Sequence, residues 1–137
     1  MQHVDTVRKI YRDFAAGDAA AILATFADDV EFRLAEGHPY RGSGGAWTGK
    51  EAIATHFFAV AGPEWEGWSI GVEKTIEAAD AVVVEGRYTG LYKPTRRQMD
   101  VQVCHVWRFR GAKVASFHQY LDTARLQDVM GRRSAAV

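Results

Sequence analysis

The sequence predicts an α+β fold: an antiparallel sheet with helices packed against one of its faces. Three features carry this expectation. Apolar residues recur at three- and four-residue spacing in the first third of the chain, then at two-residue spacing from Trp68 onward. The alternating segments follow one another across short turns, as hairpin-linked strands do. Each is apolar on one side only, as a sheet with one covered face requires.

Taken in order, Val4, Val7, Tyr11 and Phe14, with Ile10 beside them, give residues 3–16 one apolar helical face. Gly17 stops this helix, and Asp18 is placed to cap a second, short one running through Phe26. Asp28-Asp29 reads as a helix-ending turn. A short strand from Val30 to Leu34, with Val30, Phe32 and Leu34 on one side, is expected at the sheet's edge. Thr48-Gly49-Lys50-Glu51 fits a capping box opening a helix to about Ala61, which Gly62-Pro63 ends. Four strands follow. In the first, Trp68, Ile70, Val72, Ile76 and Ala78 share the apolar side. In the second, Val82, Val84, Gly86, Tyr88 and Tyr92 do so. In the third the set is Met99, Val101, Val103, His105, Trp107 and Phe109. A tight turn at Gly111-Ala112 leads to the fourth, Lys113 to Leu121. Residues 123–131 close the chain as a short helix capped by Asp122. The organisation is thus one domain over residues 1–131 and a loose tail over 132–137.

Composition bounds the function. The 137 residues are 47% hydrophobic and 25% charged, the values of an ordinary globular chain. Lys plus Arg (17) balances Asp plus Glu (17), so no basic field exists to hold nucleic acid. The single cysteine, Cys104, excludes an internal disulfide and a multi-cysteine metal site. The first residues do not read as a signal peptide and no run reaches membrane-spanning length, so a cytoplasmic location is expected.

The informative residues are polar groups on apolar faces. Strand parity puts His105 among Val101, Val103, Trp107 and Phe109. An unpaired polar group buried there costs about 1–3 kcal/mol, so the imidazole needs a partner, trapped water or a cavity. Burial also favours its neutral form. A core histidine bonded to a neighbouring hydroxyl or carbonyl is one reading, and a site residue is the other. Tyr88 on its strand and Gln119, between Phe117 and Leu121, fall on the same face. An imidazole, a phenol and an amide on consecutive strands favour a lined pocket that donates, accepts and relays protons. His56, sharing a helical face with Ile53, Phe57 and Val60, is expected to look inward. The Gly-rich segment from Glu36 to Thr48, with His38, Tyr40 and Trp47, reads either as a lid or as a plain surface loop. Cys104 points to the polar face without an activating partner and reads as structural.

Ala16-Gly17-Asp18, Phe26-Ala27-Asp28-Asp29-Val30, Trp47-Thr48-Gly49-Lys50-Glu51-Ala52-Ile53 and the ending Phe117-His118-Gln119-Tyr120-Leu121-Asp122-Thr123 resemble the nuclear transport factor 2-like superfamily, in its SnoaL-like and ketosteroid-isomerase-like branch. The resemblance runs from about Val4 to Gly131. It implies a cone: a curved antiparallel sheet with N-terminal helices on its concave face, a cystatin-like α+β roll. It also implies an interior that binds small apolar or carbonyl-containing molecules. Activities on this plan include steroid isomerisation, polyketide ring closure, dehydration and epoxide hydrolysis, and other members only bind. The catalytic residues do not carry over. The oxyanion tyrosine of ketosteroid isomerases matches Ile10, with Tyr11 adjacent, while their two aspartates match Leu34 and His105. The arginine and aspartates of limonene-epoxide-hydrolase-like proteins match Gly86, Tyr88 and Gln119, and Gln119 also replaces the acidic residue of SnoaL-type cyclases.

The expected function is acid–base catalysis, of isomerase, cyclase or dehydratase type, on a small apolar substrate. His105 would move the proton, and Tyr88 and Gln119 would hydrogen-bond a carbonyl or its enolate. Phe14, Leu34, Trp47, His56, Phe57, Trp107 and Phe117 would line the pocket. No metal or organic cofactor is implied. The alternatives are a non-catalytic binder of hydrophobic small molecules, which the missing carboxylates favour, and a protein-interaction module. The opposite sheet face, with Glu85, Arg87, Arg108, His118 and Tyr120, suits a homodimer.

Overall fold

A computed structural model describes residues 2–132. Of the expected C-terminal tail, residues 133–137 lie outside the described residues. The helices are α1 (His3–Ala15), α2 (Ala19–Leu23), α3 (residues 50–61) and α4 (Thr123–Val129). The strands are β1 (Phe26–Arg33), β2 (Trp47–Thr48), β3 (Trp65–Glu77), β4 (Ala81–Tyr92), β5 (Arg97–Arg110) and β6 (Lys113–Leu121). They form one six-stranded sheet in the order β2-β1-β6-β5-β4-β3. Every pair is antiparallel except β1 with β6, which run parallel. The sheet is curved and does not close, and the N-terminal helices fill its concave side. This is the expected mixed α+β cone.

The alternation of β4 is complete, with Val82, Val84, Gly86, Tyr88, Gly90 and Tyr92 all turned inward and buried. β5 repeats it with Met99, Val101, Val103, His105, Trp107 and Phe109. Two glycines of β4 let β3 bend across them. A Cβ on Gly86 would lie 2.4 Å from the Gly71 carbonyl oxygen, and one on Gly90 would lie 3.0 Å from Trp68 Cα. These close approaches coincide with the two register shifts of β3, between Glu66 and Ser69 and between Val72 and Lys74. Bulges there bend the strand, which gives the sheet its curl.

Several expectations are corrected. Asp28-Asp29 lies inside β1, at a register shift between Phe26 and Glu31, and Asp29 pairs with Arg110 at 2.5 Å. The strand at 30–34 therefore begins earlier, and it is second from the edge because β2 pairs outside it. Thr48 does not cap α3. Its backbone belongs to β2, and Gly49, at φ 90°, occupies the cap position without a side-chain bond. β3 begins at Trp65, three residues ahead of the expected start. Its outer half departs from parity: the shift after Val72 turns Ile76 onto the convex face opposite Val83, and Val72 and Ile76 remain 49% and 45% exposed.

α3 opens with an α-helical turn (Lys50–Ile53), widens into a π-helical turn (Ala54–Phe58) and ends α-helical (Ala59–Ala61). The π turn uses longer i→i+5 bonds and so shifts the helical phase. Ile53, Phe57 and Ala61 are buried, while His56 and Val60, which a uniform helix would set beside them, are exposed. At the chain's end, Asp122 caps α4 by accepting the Arg125 N–H at 3.1 Å. No helix among the described residues is long and apolar enough to cross a membrane.

Candidate functional site

Register builds the site. On the concave face, His105 of β5 stands opposite Val84 of β4 on one side and Gln119 of β6 on the other. Tyr88, four residues along β4 from Val84, reaches back so that its hydroxyl lies 2.6 Å from His105 Nε2. From across the cone, α1 contributes Tyr11, whose hydroxyl lies 2.8 Å from His105 Nδ1. Each hydroxyl is held by a second donor. Trp107 Nε1–H donates to Tyr11 at 2.9 Å, and Gln119 Nε2–H donates to Tyr88 at 3.3 Å. Gln119 Oε1 in turn accepts the Ala35 N–H at 3.4 Å.

Counting protons fixes what this network offers. A neutral imidazole carries one N–H, and each phenol carries one O–H. Those three protons serve two contacts, Tyr11 to Nδ1 and Nε2 to Tyr88, so one hydroxyl proton is always left over. With the ring proton on Nδ1, Tyr88 donates to Nε2 and the Tyr11 proton is spare. With it on Nε2, Tyr11 donates to Nδ1 and the Tyr88 proton is spare. In either state the spare hydroxyl already accepts two hydrogen bonds, which polarises it as a donor. His105 thus couples two hydroxyls and chooses which of them is uncommitted.

The network stays uncharged near neutral pH. Burial holds the His105 pKa at about 3. It raises Tyr11 far above the ordinary phenol value against the lowering effect of the Trp107 bond, and it raises Tyr88 against that of Gln119.

Beside these groups is a chamber with about 40 Å³ open to the centres of water molecules, the room of roughly three waters. Of the expected residues, His105, Tyr88, Gln119, Phe14, Phe57, Trp107 and Phe117 line it. Leu34 is packed in the core away from it. Trp47 and His56 stand apart, stacked on each other at 4.4 Å, and the π turn is what swings His56 out. Both nitrogens of His105 are occupied by tyrosines, and Gln119 spends its amide as a brace between Tyr88 and the backbone after β1. Tyr11 is the residue that reading by residue type passed over. Its place on the apolar stripe of α1, one residue after Ile10, is the signal that could have found it.

A second polar cluster lies in the segment from Glu36 to Thr48. His38 is buried, its Nδ1 accepts the Tyr40 N–H at 3.1 Å, and burial holds its pKa at about 3. The Tyr40 hydroxyl donates to Glu64 and accepts the Trp65 indole N–H at 3.0 Å. Gly37 O accepts from Gln127 of α4 at 2.6 Å. These bonds fasten the segment against α4 and the start of β3, and none of its residues lines the chamber, so it does not lie over it as a lid. Cys104 faces the convex side, its thiol raised by burial and then by Glu85. Among the described residues no cluster of three His, Cys, Asp or Glu side chains could hold a metal ion.

Comparison with known proteins gives a consistent picture. The family model of the SnoaL-like domain matches residues 7–117. A search of the curated proteins finds no match. Among solved structures, an NTF2-like protein of Burkholderia thailandensis E264 is 29% identical, covers 92% of this chain and 95% of its own, and superposes with a TM-score of 0.82. An NTF2-like protein of unknown function from Burkholderia pseudomallei K96243 is 26% identical over 92% and 95%, with a TM-score of 0.80. A protein of ketosteroid isomerase-like fold from Catenulispora acidiphila DSM 44928, solved in complex with trimethylamine, is 21% identical over 93% of each chain, with a TM-score of 0.77. This last likeness is one of fold.

Proposed function

The chain belongs to the SnoaL-like domain family, and on that premise we propose that it is a cofactor-independent acid–base enzyme of isomerase, cyclase or dehydratase type. Its substrate is a small, apolar, carbonyl-bearing molecule. The observation that carries this reading is the leftover hydroxyl proton of the Tyr11–His105–Tyr88 chain beside an aromatic chamber. The spare hydroxyl, Tyr88 in one tautomer, donates to the substrate carbonyl, and that bond strengthens as an enolate develops. Tyr11, which then has one lone pair open, takes the α-proton as its own proton passes to His105 Nδ1. The resulting imidazolium faces the enolate and is stabilised by it. Reversal delivers the proton to another atom of the substrate. His105 therefore acts through the two tyrosines, and Gln119 and Trp107 hold them in place.

The test is exchange of the α-protons of 1-tetralone in D2O, followed by NMR. Wild-type protein accelerates the exchange. Tyr11→Phe and Tyr88→Phe each reduce the acceleration at least tenfold, the scale of one lost donor in a dry site. Saturable binding without any exchange supports the second reading, a non-catalytic carrier of hydrophobic molecules. Two observations favour that reading: no carboxylate among the described residues lines the chamber, and an imidazole with a pKa near 3 is a weak base.

We also propose that two copies pair through the convex face. Ile76, Val83, Val106 and His118 fall in one row across β3 to β6, and Tyr120 beside it is 52% exposed. Light scattering at decreasing concentration gives a dimer mass for the wild type and a monomer mass for Val106→Glu. A monomer at every concentration refutes the pairing.

A further inference from the structure

The face of the sheet opposite the chamber carries a cluster of cations. β1 and β6 run side by side, with Arg33 beside His118 and Glu31 beside Ser116. On the other side of β6, β5 sets Arg108 opposite Ser116. Strand alternation turns all of these to the convex face. The segment between β1 and β2 brings a third arginine, Arg41, to the same place. Gly45 of that segment has φ 88°, and its N–H donates to Gly42 O at 3.0 Å. Two guanidiniums lie where a side chain would otherwise stand. A Cβ on Gly45 would lie 3.1 Å from Arg41 Nη2 and 3.2 Å from Arg33 Nη1. The glycine thus lets the two arginines converge.

The cluster holds more positive charge than it neutralises. Arg33 is paired with Glu31. Arg41 and Arg108 have no ion pair among the described residues, and the Arg41 Nε–H is buried without a hydrogen-bond partner. His118 senses the imbalance. Burial lowers its pKa first, and Arg33, Arg108 and Arg41 lower it further against the opposing effect of Glu31. The ring is therefore neutral at pH 7.5, with its Nδ1 3.0 Å from the Tyr120 hydroxyl. Three guanidiniums against one carboxylate leave a surplus of two positive charges. Like charges gathered this closely repel one another unless an anion joins them. Guanidinium forks match the oxygens of a phosphate, and a phosphate monoester carries a charge of about −1.5 to −2 near neutral pH.

We propose that Arg33 and Arg41, converging over Gly45 beside His118, form a binding site for a phosphate dianion, free or as the end group of a phosphate monoester. Arg41 supplies the unpaired fork, Arg33 a second set of donors, and Arg108 a further positive charge. The cradle is open to solvent: Ser43 and Gly44 are exposed, and a Cβ on Gly44 would meet nothing within 4 Å. On β1 and the segment after it, the two arginines lie beyond the β3-to-β6 row proposed to pair two copies. None of the site's residues lines the chamber, so this inference stands or falls apart from the carbonyl-binding reading.

The test is titration of the full chain with inorganic phosphate, phenyl phosphate and acetate at pH 7.5 and constant ionic strength, followed by NMR at the His118 ring. Phosphate shifts the ring signals saturably, and acetate, a monoanion, does not. Arg41→Gln weakens phosphate binding at least tenfold, the scale of lost hydrogen bonds to a charged group. Arg41→Lys, which keeps the charge without the fork, falls between that variant and the wild type. Arg33→Gln also weakens binding, which keeps the question answerable should Arg41→Gln fail to fold. Arg8→Gln, at an exposed arginine of α1 paired with Asp5, leaves the affinity unchanged. Phenyl phosphate binding at least as tightly as inorganic phosphate supports the site as one for a monoester, and much weaker binding supports it as one for the free ion. Absence of a saturable shift, an equal response to acetate, or an affinity unchanged in both Arg41→Gln and Arg33→Gln overturns the proposal.

Discussion

Replacing His105 with glutamine should remove a specific part of the protein's acid sensitivity. The ring is buried and its pKa is held near 3, against 6.5 for an unburied histidine. The unfolded chain therefore binds a proton at His105 below pH 6.5 that the folded chain refuses until about pH 3. Stability from this group is fully present above pH 6.5 and is lost as pH falls towards 3. Each unit of difference corresponds to about 1.4 kcal/mol, so the interval from 6.5 down to pH 4 amounts to about 3 kcal/mol. His38 contributes a loss of the same sign in both proteins and cancels from the comparison. Denaturant unfolding at pH 7.5 and pH 4 measures the effect: wild type should lose about 3 kcal/mol more than His105→Gln across that interval. In the wild type, NMR should find one histidine ring still neutral at pH 5 and in contact with two tyrosines. Equal losses in the two proteins, together with a His105 ring that titrates near 6.5, would refute the burial argument.

Two further substitutions test the fold around the site. Gly86→Ala places a Cβ 2.4 Å from a backbone oxygen of β3, so it should destabilise the protein by about 1–3 kcal/mol and flatten the sheet's curl. Thermal unfolding reads the first effect, and loss of 1-tetralone binding reads the second. Asp122→Ala removes the side-chain cap of α4 and should lower stability by about 1 kcal/mol without altering ligand affinity.

How far the sequence could be read depended on whether an element kept one period from end to end. β4 and β5 did, because each lies in the middle of the sheet with one face covered, and their alternation placed Tyr88 and His105 inward. β3 did not. Its bulge after Val72 inserts a residue, and the parity that had put Ile76 inward gives the opposite face beyond that point. His56 failed for a related reason, since a helix-wide period of 3.6 cannot foresee a π turn between Ala54 and Phe58. Within the site, parity showed that His105 and Gln119 share a face. It did not show that Tyr88 leans back along β4 to the imidazole. Nor did it show that Tyr11 arrives from α1, because that contact depends on how the whole sheet curls around the helix.

The parallel pairing of β1 with β6 has a consequence for how the molecule comes into being. Phe26 lies beside Val114, and Tyr11 meets a partner 94 residues further along. An emerging polypeptide cannot complete this arrangement until its last strand has left the ribosome, so the early helices must wait with their oily sides unsheltered. Such distant closures are slow.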